Sequence, residues 1–404
     1  MQKVAREVKF LVQKVKHLIL LVGSNPLPNA VAGKLLVESG GTISLIYSEG
    51  TSEIAERLKN WHEAEYKKEG TEIKVIKREV NESQPPSIYK KVKDILNEVN
   101  EKSIGLNYTG GTKMMAVHAY QTVKCWAEKN DINPIFSYLD ARTLEMIFDP
   151  TDKSYTKERE YVGMNVEMSL DDLLSLHDWK LGEQGNSHFN LPETAKIIAE
   201  ECGKDGFIEE YKEFTKHLNN KRFLCKPVND DLKQIYEKLY EELQEECKEL
   251  CKSDGTIKLT DELRNWLKGF WLESYLYYIL NNRLRNKGYL HECYKNIVTE
   301  EPKFEVDAVA IRGYQLFAFS CKTKWNDKKE LKKALFEICI RAEQLGGDEA
   351  RLALVCLAED PDKIENEIRK DFDQEKRVKV FGRKHLSNLE IYLENWILEQ
   401  SGGE

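Results

Sequence analysis

The chain has 404 residues, 32% of them charged, a formal net charge of −8 and nine cysteines. That length supports two or three domains with cores of their own, and the acidic balance excludes a global basic field, so a nucleic acid would be met only by a local patch or through bound cations. The apolar run at residues 18–22 is far too short to span a membrane, no secretory leader is read, and scattered cysteines, odd in number, fit a reducing, cytoplasmic setting.

In chain order, residues 1–15 have the spacing of a short leading helix. A strand at 17–22 runs into Gly23-Ser24-Asn25-Pro26. There follow a helix at 30–38, a strand at 42–47, a helix at 52–68, a strand at 71–76 and a helix at 86–99 with proline at its start, where the missing N–H matters least. After a strand at 103–108, Thr109-Gly110-Gly111-Thr112-Lys113 opens a helix through 128, and strands at 134–139 and 144–148 complete the region. Strands alternating with helices predict a parallel, doubly wound sheet over residues 1–150.

Residues 151–262 are rich in Glu and Lys and read as a largely helical connector, with a helix at 231–252. Cys247 and Cys251 lie four apart on it, but no second pair completes a metal site, and helix packing accounts for them. From 263 to 404 the pattern is a second α/β domain. A helix carrying Trp266, Phe270, Trp271 and Glu273 leads into strand, hairpin, helix, strand, helix, strand, helix.

Two features fall at the carboxyl ends of predicted strands, where open α/β sheets bind ligands. They are Ser24-Asn25 and the Asn107 to Lys113 turn. The glycines let backbone N–H groups converge, the following helix adds its positive end, and Thr109, Thr112 and Lys113 add hydroxyls and a charge, which together suit a phosphate. The spacing fits neither a Walker loop nor a dinucleotide fingerprint. A plain tight strand-to-helix turn would also use Gly110-Gly111.

A further feature is the stretch 304–324, two apolar runs joined by Arg312-Gly313-Tyr314, a β-hairpin pattern. It holds Asp307 in the first run and Lys322 at the end of the second. A buried charge needs a partner, and a carboxylate beside a lysine suits metal-dependent phosphodiester hydrolysis. Singly, Asp307 reads equally as an ion pair with Lys303 or Arg312, Lys322 as a strand-end lysine reaching water, and Glu273 as a surface carboxylate on a helix of different phase.

TGGTK after a strand, with a Ser-Asn loop after the first strand, resembles the CARF sensor domains of type III CRISPR systems. That resemblance implies a Rossmann-like domain binding a cyclic oligoadenylate, most often the tetra-adenylate, across a homodimer axis, with Ser24, Asn25, Asn107, Thr109, Gly110, Gly111, Thr112 and Lys113 lining the site. Asp307 and Ser320-Cys321-Lys322 resemble the D…(D/E)-x-K signature of restriction-type nucleases, with Glu273 as the first acid. It implies a restriction-endonuclease-like domain in which Glu273, Asp307 and the Cys321 carbonyl hold Mg²⁺ or Mn²⁺ and Lys322 assists the attacking water. Ser320 departs from the signature, since a hydroxyl is a poorer ligand than a carboxylate. Glu337 on the next helix or Glu305, on the face of Asp307, could supply an acid, and Lys324, Asn326, Lys328 and Lys329 could meet phosphates. The order of parts resembles the CARF-domain effector nucleases, which implies a ligand-activated enzyme cutting DNA, RNA or both. The alternative, favoured by Ser320, is a cyclic-oligoadenylate sensor whose nuclease fold is inactive.

Overall fold

Strand β1 (Val15–Leu21) is the middle one of the five parallel strands of the first sheet and is apolar on both faces. Leu18 and Leu20 join one buried cluster while Ile19 and Leu21 join another, as expected for a strand covered on both sides. Helices α1 (Leu27–Leu36) and α2 (Ser52–Lys68) cover the first face, and α3 (Pro85–Glu98) and α4 (Lys113–Asn130) the second. Strands β2 (Val37–Tyr47), β3 (Lys74–Glu79), β4 (Ile104–Asn107) and β5 (Ile135–Asp140) run parallel in the order β3-β2-β1-β4-β5. The order reverses between β1 and β4, so the loops leaving these two strands meet at the switch point. The structure is a computed structural model and describes residues 14–99, 102–149, 159–182, 189–301, 303–323, 327–372 and 377–400. Most of the leading helix read at 1–15, together with Lys324 and Asn326, lies outside the described residues.

The doubly wound sheet is parallel from its β3 edge through β5 and antiparallel at its other edge. Strands β6 (Glu145–Phe148) and β7 (Arg159–Tyr161) add to β5 in antiparallel fashion, and β7 comes from the segment read as helical. Helix α1 also ends earlier than read, because the chain turns to strand at Val37 and passes through Gly40 at φ 74°.

The segment after β7 lies between the two sheets. Helix α5 (Leu170–Leu176), with Val162, Val166 and Met168, shares one buried cluster with Leu18 of the first sheet and Val306, Leu316 and Leu352 of the second. Helices α6 (Pro192–Glu201) and α7 (Phe207–His217), the small ribbon β8 (Phe223–Leu224) and β9 (Ile257–Lys258), and α8 (Asp230–Glu246) pack on the far face of the second sheet. Burial against that face, rather than propensity alone, sets the connector's order.

A helical stretch follows, α9 (Asp261–Asn265) and α10 (Trp271–Tyr278), interrupted by π turns at Trp266–Phe270 and Ile279–Leu284. The second sheet has the order β10 (Glu292–Val298), β11 (Glu305–Arg312), β12 (Gln315–Lys322), β13 (Arg351–Cys356), β14 (Val378–Phe381). Its first two pairings are antiparallel and its last two parallel. Central β12 shows the period of two: Leu316 and Ala318 face α11 (Lys328–Gly346), while Phe317 and Phe319 pack against Trp396 of α13 (Leu389–Gln400). Helix α12 (Pro361–Phe372) covers β14. No helix among the described residues is long and apolar enough to cross a membrane.

Candidate active site and its sensor contact

The two glycine-bearing loops of the first sheet touch. A Cβ on Gly23 would lie 3.0 Å from the Gly111 nitrogen, one on Gly110 would run into the Leu21 carbonyl oxygen, and Gly111 sits at φ 74°. Only glycine fits this crossing. Ser24, Thr112 and Lys113 are exposed around it, and Lys113 has no acidic partner among the described residues. Thr112 also caps α4, accepting from the Met115 N–H at 3.2 Å.

Three of the predicted ligand residues are occupied by the protein itself. Asn107 is fully buried, donates to Ser137 Oγ at 3.0 Å and accepts from the Thr109 N–H, so it shapes the turn from behind rather than facing outward. Thr109 Oγ1 accepts from the Leu139 N–H at 2.7 Å and ties the turn to β5. Asn25 accepts from the Leu27 N–H and donates to Glu349 Oε2 of the second domain at 2.8 Å.

In the second sheet, β11 pairs with β12 only as far as Ala308 opposite Phe319. Beyond it, the Cys321 N–H donates instead to Asp307 Oδ2 at 2.6 Å, and the Ser320 hydroxyl donates to the same oxygen at 3.1 Å. Lys322 Nζ stands 3.6 Å from it. In an extended strand both polar groups of a residue face the same neighbour, so the Cys321 carbonyl also points to the Asp307 edge. Glu273 approaches from α10. Burial, then the facing Asp307, push its pKa up to about 8 against the pull of Lys322. The structure thus brings Glu273, Asp307, Cys321 and Lys322 together at the open end of the hairpin. A cavity of about 300 Å³ opens there, lined by Glu305, Asp307, Ser320 and Lys322 on the hairpin and by Glu337 and Arg341 on α11. Lys328 and Lys329 are exposed at the start of α11.

The opposite end of the same hairpin is held by the segment that follows β7 and by the residues just before β13. The Met168 N–H donates to the Gly313 carbonyl at 3.0 Å, and Gly313, at φ 60°, lies against Gly163. Gln315, first in β12, donates to the Glu349 carbonyl at 3.1 Å. Arg351 is buried and donates to the Glu349 carbonyl, to the Arg142 carbonyl of the β5–β6 turn and to Gln400 Oε1, each at 2.8 Å. None of these bridging residues stands out in the sequence.

Residues 17–166 match the family model described as the Card1 CARF domain, and residues 260–400 match that of the Card1-like endonuclease domain. Among solved structures, Can2 from Sulfobacillus thermosulfidooxidans, in complex with cyclic tetra-adenylate, is similar with a TM-score of 0.68 at 16% identity, over 95% of this chain and 97% of its own. Protein VC1899 from Vibrio cholerae gives a TM-score of 0.65 at 15% identity, over 96% of this chain and 99% of its own. At these identities the two structures establish a shared fold. No curated protein matches the sequence. With a Card1 CARF domain at one end and a Card1-like endonuclease domain at the other, the chain belongs to the Card1-type CARF endonucleases.

Proposed function

We propose that the protein is a divalent-metal-dependent nuclease of type III CRISPR defence, working in the cytoplasm as a homodimer and switched on by cyclic tetra-adenylate. The observation that carries this reading is the hairpin itself. Its open end sets Asp307 and Lys322 on one cavity, within electrostatic reach of Glu273, and its turn end is bonded to the segment that leaves the sensor sheet.

Glu273 and Asp307 fit a divalent ion, because burial and then the charge of Asp307 hold Glu273 far above its ordinary range, a cost that a bound cation removes. Among the described residues no three His, Cys, Asp or Glu side chains are already gathered on one point, so the two carboxylates and the Cys321 carbonyl form the donor set. Oxygen donors suit Mg²⁺ or Mn²⁺. Such an ion, when bound, supplies a hydroxide at neutral pH and polarises the phosphate. Lys322 orients the water and offsets charge developing on the phosphate. Two hydrogen bonds, from Ser320 and the Cys321 N–H, and the Lys322 ammonium 3.6 Å away already hold Asp307 Oδ2, which presets the carboxylate plane.

On the sensor side, Ser24, Thr112 and Lys113 present a hydroxyl-rich, positive rim at the switch point, with the glycine N–H groups behind it. The match to the Card1 CARF domain, and the ligand carried by Can2, support a cyclic oligoadenylate there. A two-fold ligand suits an isologous dimer, and Met114 and Val117, 40% and 60% exposed beside Lys113, give α4 an apolar face for it. The ligand acts only if it binds the cutting arrangement more tightly than the resting one. One observation favours a second reading, a non-cutting sensor: Ser320 places a hydroxyl where an acid would strengthen the metal site.

The test is cleavage of labelled single-stranded DNA, single-stranded RNA and plasmid in Mn²⁺, with and without cyclic tetra-adenylate, beside Lys322→Ala. Ligand-dependent cutting that Lys322→Ala abolishes is expected. Ligand binding without cutting in any metal would leave the sensor reading.

A further inference from the structure

Helix α11 presents Glu337 and Arg341 one turn apart on the same side, and both line the cavity of Asp307 and Lys322. The Arg341 guanidinium is preset. It lies 4.2 Å over the Phe304 ring, which Trp179 holds edge-on at 5.1 Å. The Trp179 indole donates to the Gln344 carbonyl at 2.8 Å, and Arg341 Nη1 donates to Gln344 Oε1 at 3.0 Å. Stacking and this bond fix the plane of the guanidinium at the cavity wall.

What the arginine lacks is an anion. Arg57, Arg283, Arg369 and Arg377 each face a carboxylate. Arg341 faces none among the described residues, though Glu337 is one turn away, and its buried Nε has no acceptor there. A half-buried guanidinium without a counter-charge is costly, and a phosphate offers two oxygens that match its planar fork. The cavity wall also divides by sign: Glu305, Asp307 and Glu337 suit an ion, while Lys303, Lys322 and Arg341 suit a polyanion.

We propose that Arg341 binds a backbone phosphate of the polynucleotide beside Lys322 and so positions the strand in the nuclease site. This rests on the nuclease reading above. The recognised chemistry is the phosphodiester, common to DNA and RNA.

The experiment is fluorescence anisotropy of labelled single-stranded DNA and, separately, single-stranded RNA. It uses the full chain with saturating cyclic tetra-adenylate and EDTA, so that nothing is cut, over a range of salt. Arg341→Gln is expected to weaken binding about 10-fold and to lower the log–log salt slope by roughly 0.7, the value of one phosphate contact on a single strand. Arg341→Lys should keep most of the slope, and also shows that the site still folds. Lys363→Gln, the same charge change at an exposed position on α12, should leave affinity and slope near wild type. A larger loss on one polymer identifies the substrate. Wild-type affinity and slope in Arg341→Gln, or equal losses in Lys363→Gln, would overturn the role of Arg341 alone. Binding of neither polymer by the wild type would overturn the nuclease reading with it.

Discussion

Asn25, in the loop that leaves the central strand of the sensor, donates a 2.8 Å hydrogen bond to Glu349, a fully buried carboxyl at the start of a nuclease strand. The approach is close enough that a Cβ on Gly347 would lie 2.6 Å from Asn25 Oδ1. The same loop carries Ser24 on its exposed side. A ligand that draws the loop outward therefore pulls on a bond whose other end is tied, through the Glu349 carbonyl, to Gln315 at the head of β12. Seven residues on, β12 ends in Lys322, roughly 23 Å away at strand rise.

Removing the donor should be costly. Asn25→Ala leaves a buried carboxyl without its hydrogen bond, and a loss of about 1–3 kcal/mol in unfolding free energy is expected. Denaturant titration at neutral pH measures it. Activator-independent cutting by the same variant would show the bond to hold the resting state, and cutting that no longer follows the activator is the expected result.

Glu349 makes this contact pH-dependent. Burial raises its pKa from 4.5 to about 7, with Asn25 and Arg351 pulling it down and Asp348 pushing it up, and Tyr314 also faces it. The fold favours the protonated form. Its contribution is complete below pH 4.5 and is lost as pH rises through about 7, equivalent to roughly 3 kcal/mol at most. Glu349→Gln should flatten the fall in stability between about pH 5 and 8 relative to wild type. Parallel pH profiles for the two proteins would refute the assignment.

Lys322→Ala should reduce cleavage by about 10² to 10³-fold, the usual loss when one charged donor leaves a transition state. Activator binding and melting temperature should stay near wild type, since the ammonium is one-third exposed and its ion pair contributes little to stability.

Ser320→Asp places a second carboxylate against Asp307, whose Oδ2 the serine hydroxyl now meets at 3.1 Å. Without metal the pair should repel and lower the melting temperature. With Mn²⁺ the loss should reverse, and Mn²⁺ should bind on the order of 10-fold more tightly by calorimetry. Equal Mn²⁺ affinity in the two proteins would place the ion elsewhere.

Much of this arrangement was readable from residues. The strand–helix alternation from β1 to β6, the glycine turn after β4 and the β11–β12 hairpin stand close to where periodicity and turn chemistry put them, because each is a local pattern reinforced by burial. Asn107 and Asn25 were read as facing a ligand, but their side chains bond to the protein itself, since a residue's position at the end of a strand does not reveal which way its amide points. The clamp of Gln315, Glu349 and Arg351 was not legible. It joins positions separated in sequence through backbone carbonyls, which carry no residue-type signal. Strand β7 was missed because three residues of Arg-Glu-Tyr have no period to read.

The most direct test is the initial cleavage rate titrated against cyclic tetra-adenylate in wild type and Lys113→Ala. A sensor site around Lys113 that governs a separate catalytic hairpin predicts the same plateau rate in both proteins, with the midpoint in the variant moved about 10-fold or more to higher activator, the worth of one charge-assisted phosphate contact. A rate that does not depend on activator in the wild type, or a midpoint unmoved in the variant, would contradict the account.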